Sequence, residues 1–91
     1  MEIKLSKKFD FEGKEYESLD LKLDELTGQD ILSAEREATA VAGRAVSDFS
    51  KTYQAAVAAR AAGVPVDMII ALPAKDFVKV TLEASSFLLG D

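Results

Sequence analysis

The sequence predicts an α+β fold in which an N-terminal β-hairpin precedes about three α-helices, with helix predominating. Three observations lead there. Leu19, Leu21 and Leu23 alternate with polar residues, the pattern of a strand whose side chains take opposite faces in turn. From Gly28 onward the apolar residues return at helical spacing, as Ile31, Ala34, Ala38, Val41 or Ala42, and Ala45. Between them lies Leu23-Asp24-Glu25-Leu26-Thr27-Gly28-Gln29-Asp30-Ile31-Leu32, where one period gives way to the other.

The hairpin is predicted over residues 1–23. Asp10-Phe11-Glu12-Gly13 suits a type I turn followed by glycine in the left-handed conformation. That turn sets Ile3 against Leu21, Leu5 against Leu19, Lys4 against Asp20, Lys7 against Glu17 and Asp10 against Lys14. A two-residue Glu12-Gly13 loop would instead oppose Leu5 to Asp20 and Ile3 to Lys22, so the first register is expected. An isolated two-stranded hairpin is marginal in water, so this one must lie on helices or on a neighbouring copy.

The helical part is predicted over 27–91. Thr27 is placed as an N-cap, with Asp30 three residues on in a capping box that carries Asp where Glu or Gln is usual. The first helix should run over 28–42 and end or bend at Gly43. A second, capped by Ser47, should reach Ala62 and stop at Gly63, with a stripe of Phe49, Tyr53, Ala56 or Val57, and Arg60 or Ala61. Its many alanines let a neighbouring helix approach closely. Val64-Pro65-Val66 forms a connector, and 67–72 a short helical turn. The last helix should start at residue 73 or 74 and reach 89. Phe77, Val80, Thr81, Ala84, Phe87 and Leu88 form one broad apolar face, which Val78, Leu82 and Leu89 widen to about twice the arc a surface helix requires. Either this helix is central to the fold, or one of its faces meets another protein.

The 91 residues fit one domain, and a hydrophobic content of 48% with no low-complexity tract marks a chain that folds. A net charge of −5 argues against nonspecific binding to nucleic acid. With no run of apolar residues long enough to span a bilayer and no signal peptide, a cytoplasmic protein without membrane partners is expected. Histidine and cysteine are absent, which removes the commonest general base, metal ligand and thiol nucleophile. Glu35 and Glu37 point apart on their helix and cannot share a substrate. Asp20, Asp24 and Glu25 lack the ligand ladder of a calcium loop and read as a solvated acidic corner. No glycine-rich phosphate loop is present. The expectation is a protein with no catalytic residues, no cofactor and no metal.

Four motifs carry a resemblance. They are the 23–32 stretch quoted above; Ala34-Glu35-Arg36-Glu37; Gly63-Val64-Pro65 followed by Leu72-Pro73-Ala74-Lys75-Asp76-Phe77; and the ending Phe87-Leu88-Leu89 within an apolar helix. In order and spacing they resemble the small tail assembly chaperones of long-tailed phages and prophages, the Mu-like and P2-like group. The resemblance covers nearly the whole chain, with 38–50 matching loosely and the alanine-rich second helix less typical of the family. It implies a hairpin before helices, and a protein that is needed to build a tail but is missing from the finished virion. It implies the tape measure protein as partner, a long and largely helical polypeptide held soluble until tail tube subunits polymerise around it. In many such phages a ribosomal frameshift yields a longer product, so the tail tube protein is implied as a second partner through that extended form. The alternative is a minor structural subunit of a phage tail or of a contractile injection-type particle, with hairpin edges pairing laterally.

A holdase for helices needs exposed apolar surface, since amphipathic helices bind through their apolar faces. The last helix is the expected protein-binding element. Val78, Leu82 and Leu89 on its flank are the first candidate contacts. Phe77, Phe87 and Leu88 are further candidates, with Phe77 and Phe87 also able to serve the core. The hairpin's free edge and the alanine-rich face around Ala55, Ala58 and Ala62 come next. Self-association into a homo-oligomer is expected from the two-stranded hairpin and the over-apolar last helix.

Overall fold

Two strands, β1 (Glu2–Phe11) and β2 (Lys14–Asp20), pair antiparallel in a computed structural model that describes residues 1–90; Asp91, the end of the predicted helical part, lies outside the described residues. The hairpin exists as expected, but its register is not the expected one. At the turn Phe11 faces Lys14, Asp10 faces Glu15 and Phe9 faces Tyr16, so the loop is the two-residue Glu12-Gly13. Both loop residues have positive φ, 51° and 83°, the twist that matches two right-handed strands. Asp10 does not pair with Lys14; its carboxyl accepts the Gly13 N–H at 3.2 Å. At the open end Ile3 faces Leu19 and Lys4 faces Ser18. Between the two registers, residues 5–8 of β1 oppose Glu17 alone, and the strand bulges.

The expected ladder failed because it assumed unbroken pairing. At the open end the error is two residues, which leaves every side chain on its expected face. Ile3, Leu5, Leu19, Leu21 and Leu23 are accordingly all buried. Leu21 and Leu23 lie beyond the ladder. The Leu21 N–H donates to the Met1 carbonyl at 2.7 Å, the Lys22 N–H donates to Ala61 at 3.0 Å, and a short 3-10 turn follows at Leu23–Glu25.

The bulge is held from outside the hairpin. The Ser6 N–H and hydroxyl each donate to one carboxyl oxygen of Asp76, both at 2.9 Å, and Asp76 is fully buried. Lys79 donates from Nζ to the Lys4 carbonyl at 3.0 Å. Both side chains come from the last helix and supply partners that the broken ladder cannot.

Four helices follow: α1 (Gly28–Ala42), α2 (Lys51–Ala62), α3 (Val66–Ala71) and α4 (Ala74–Leu88). Thr27 caps α1 as expected. Its hydroxyl accepts the Asp30 N–H at 3.2 Å, and Asp30 accepts the Thr27 N–H at 2.9 Å, closing the capping box. That Thr27 N–H is the chief reason the Asp30 pKa falls below its ordinary value of 3.8; partial burial opposes it, and the Thr27 hydroxyl and the Arg60 guanidinium reinforce it. Arg60 reaches from α2 to Asp30 at 3.5 Å and Glu37 at 3.7 Å, spanning two turns of α1. Gly43, at φ 73°, ends α1, and Val41, Ala42 and Ala45 are exposed rather than part of its buried stripe.

α2 starts at Lys51 after Ser50 as N-cap, three residues later than the Ser47 cap expected. The Ser47 hydroxyl accepts the Phe49 N–H, and its carbonyl accepts the Ser50 N–H, so Ser47 makes a turn instead of a helix cap. Phe49 therefore falls outside the stripe assigned to it. Residues 53–59 of α2 are all buried, and the helix packs against α1, α3, α4 and the inner end of the hairpin. This alanine-rich helix, not the last one, is central. Tyr53 is buried within it, and desolvation raises its pKa above 10, with the Asp48 and Glu35 charges adding to the shift. α4 lies on α2 through Val80, Thr81 and Ala84; Lys51 donates to the Thr81 hydroxyl at 3.1 Å, and that hydroxyl donates to the Phe77 carbonyl at 2.9 Å.

Two stability tests follow. Asp76→Ala strands the Ser6 amide and is expected to lower unfolding free energy by roughly 3 kcal/mol in urea denaturation; a loss below about 0.5 kcal/mol would mean that water replaces the carboxyl. Asp30→Asn is expected to destabilise the chain near neutral pH. Because folding lowers the Asp30 pKa, its contribution is present above pH 3.8 and is lost as pH falls through the lower native value. Denaturation curves of the variant and wild type should therefore converge below pH 3.8, and a gap that stays constant with pH would contradict the coupling.

Candidate functional site

α4 has apolar side chains on both sides, and the structure separates them. Val80 and Ala84 are buried against α2, while Phe77, Phe87 and Leu88 are half-buried at the edges of the same core. Val78, Leu82 and Leu89 are 52%, 58% and 56% exposed. At the helical angle these three fall within about 40° of one another, on the side opposite Val80 and Ala84. The six candidate residues thus divide evenly, three on an outward stripe and three packed on the core.

The other candidate surfaces fare differently. Ala55 and Ala58 are fully buried within the central helix and Ala62 is half-buried, so most of the alanine face is used up by the core. One stretch of the hairpin's outer edge, at Lys4 and Ser6, is covered by Lys79 and Asp76. Phe9 and Phe11 stack at 6.5 Å near the hairpin tip, with Lys14 lying 5.3 Å from the Tyr16 ring centre. The acidic corner of Asp20, Asp24 and Glu25 lines a shallow depression of about 430 Å³ together with Lys22 and Glu83. Among the described residues no cluster of acidic side chains is arranged to hold a metal ion, and no helix is long and apolar enough to cross a membrane.

Sequence reasoning missed one surface. A groove of about 640 Å³ runs along the outer side of α1, lined by Glu35, Arg36, Thr39, Ala40, Ala45 and Val46. Close to it in the chain stands Phe49, 76% exposed. The available signal was Ser47-Asp48-Phe49-Ser50, a run of turn-forming residues in which Ser50 is as good a helix N-cap as Ser47.

The hairpin, the four helices and the outward stripe of α4 all fall within one stretch of sequence similarity. Residues 2–89 match the family described as phage tail assembly chaperone proteins, E, or 41 or 14. The chain belongs to this family. Comparison with curated proteins and with solved structures yields no match. The match spans every helix and both strands.

The two sides of α4 are expected to respond oppositely to mutation. Leu82→Glu should change unfolding free energy by no more than about 0.5 kcal/mol, as at other exposed positions. Val80→Ala should cost roughly 2 kcal/mol through the cavity it leaves. Chemical denaturation of both variants checks the assignment, and a large loss for Leu82→Glu would place the outward stripe in the core.

Proposed function

We propose that this tail assembly chaperone binds the tape measure protein and keeps it soluble during tail morphogenesis, through the outward stripe of α4. The observation behind the reading is that Val78, Leu82 and Leu89 form an apolar strip on a helix whose opposite side already serves the core. A largely helical client offers apolar faces that match such a strip, and burial of apolar area supplies the attraction. Phe77, Phe87 and Leu88 edge the strip and extend the contact. The role requires no reaction, and neither cofactor nor metal takes part. The chain acts as one domain in the host cytoplasm, and a frameshift-extended form brings in the tail tube protein.

Leu82→Glu is the test. The introduced carboxylate would have to be buried without a partner in the complex, a cost that outweighs what one hot-spot leucine supplies. Co-expression of tagged chain with the tape measure protein should recover the pair for wild type and lose it for a folded Leu82→Glu variant. Retention of the client would rule out this surface. Mass spectrometry of purified particles addresses the role itself: a chaperone is missing from them, whereas a structural subunit is present.

A further inference from the structure

The groove on α1 and the aromatic ring beside it belong to a different face from the α4 stripe. Gly43 ends α1 in the left-handed conformation, and the chain turns so that Ala45 and Val46 form a wall beside Thr39 and Ala40. Leu32, 53% exposed, lies one turn beyond Arg36 along the same side of α1. Phe49 follows Val46 by three residues, a span of at most about 11 Å, so knob and groove are close neighbours. Phe49 is the most exposed large hydrophobic residue among those described, yet its backbone is pinned. Its N–H donates to the Ser47 hydroxyl at 3.3 Å, and the buried Gln54 donates from Nε2 to the Asp48 carbonyl at 3.3 Å. The ring is displayed on a fixed turn.

Charge indicates what covers this face. Glu35 and Arg36 rim the groove, and Arg44 and Asp48 flank the knob. The ion pairs among the described residues join Met1 to Asp20 and Arg60 to Asp30 and Glu37, and none uses these four groups. The four charges sum to zero in a chain of net charge −5, so two copies that repel overall can meet here without that penalty. Each side of the contact carries one charge of each sign, so the arrangement can complement itself.

We propose that this face pairs with the same face of a second copy of the chain about a two-fold axis, Phe49 of each copy seated in the α1 groove of the other. Arg44 and Asp48 beside each knob then meet Glu35 and Arg36 on the opposing rim. Such a contact is isologous and closes at two copies, leaving both α4 stripes free. It gives the self-association expected from the sequence a surface other than the hairpin or α4.

Sedimentation equilibrium of the full chain over a range of concentrations tests this. Wild type should dimerise, and Phe49→Asp and Ala40→Trp, both at exposed positions, should each weaken the dimer by more than about tenfold while leaving the far-UV circular dichroism spectrum unchanged. An equimolar mixture of the two variants should dimerise more tightly than either variant alone, because one of the two seats is intact in the mixed dimer: the knob of the Ala40→Trp chain meets the open groove of the Phe49→Asp chain. Arg44→Glu should weaken the dimer, and adding Glu35→Arg in the same chain should restore it. Leu82→Glu should dimerise like wild type, whatever becomes of client binding. A monomeric wild type, a dimer that Phe49→Asp leaves intact, a mixture that associates no more tightly than the variants alone, or a dimer abolished by Leu82→Glu would each overturn the proposal.

Discussion

The two hydrogen bonds from Ser6 to Asp76 join the halves of this molecule. A hairpin of two strands is marginal by itself, and this one is further weakened where four residues of β1 face a single residue of β2. Backbone groups freed by such a bulge must find partners when they are shielded from water. Asp76, in the first turn of α4, meets both donors of Ser6, and Lys79 one turn later meets the Lys4 carbonyl. The irregularity in the strand is therefore also its attachment point. These contacts to β1 act together with the packing on α2 to place α4 with Val80 and Ala84 inward.

The alanine content of α2 is the second constraint. Small side chains let α1, α3 and α4 approach one helix from several directions, and residues 53–59 are buried in consequence. With the centre occupied, α4 can use only one side for the core. Its outward stripe is left over by the packing rather than by any weakness in the helix itself. An apolar face of this kind, left over on a regular helix, is the surface on which the proposed function rests.

The exposed apolar surface is also partitioned. Val78, Leu82 and Leu89 lie on α4, whereas Leu32, Ala40, Val46 and the Phe49 ring lie at α1 and the loop after it. Glu35, Arg36, Arg44 and Asp48 surround the second region. Separate surfaces allow a chaperone to meet a copy of itself and a client together, so that the two contacts need not compete.

Much of this was legible in the residues. Local rules settled that a hairpin forms, though not its turn or register, and gave the Thr27–Asp30 capping box, the bounds of α1, the last helix to within a residue, and the burial of Leu19, Leu21 and Leu23, because caps and side-chain periodicity act over a few residues. The double width of the apolar arc on α4 was equally plain, and it set Val78, Leu82 and Leu89 apart from Val80 and Ala84. What the periodicity could not assign was which helix is central, since an alanine-rich helix of low amphipathicity looks unremarkable until three others surround it. Nor could it reveal the strand bulge, whose stability comes from Asp76, 70 positions after Ser6 in the chain. The start of α2 was expected after Ser47, whereas the buried Gln54 on the Asp48 carbonyl goes with a start after Ser50. Interactions within a turn of helix or a pair of strands are written in the sequence; contacts between distant segments compete with one another, and only the assembled core decides among them.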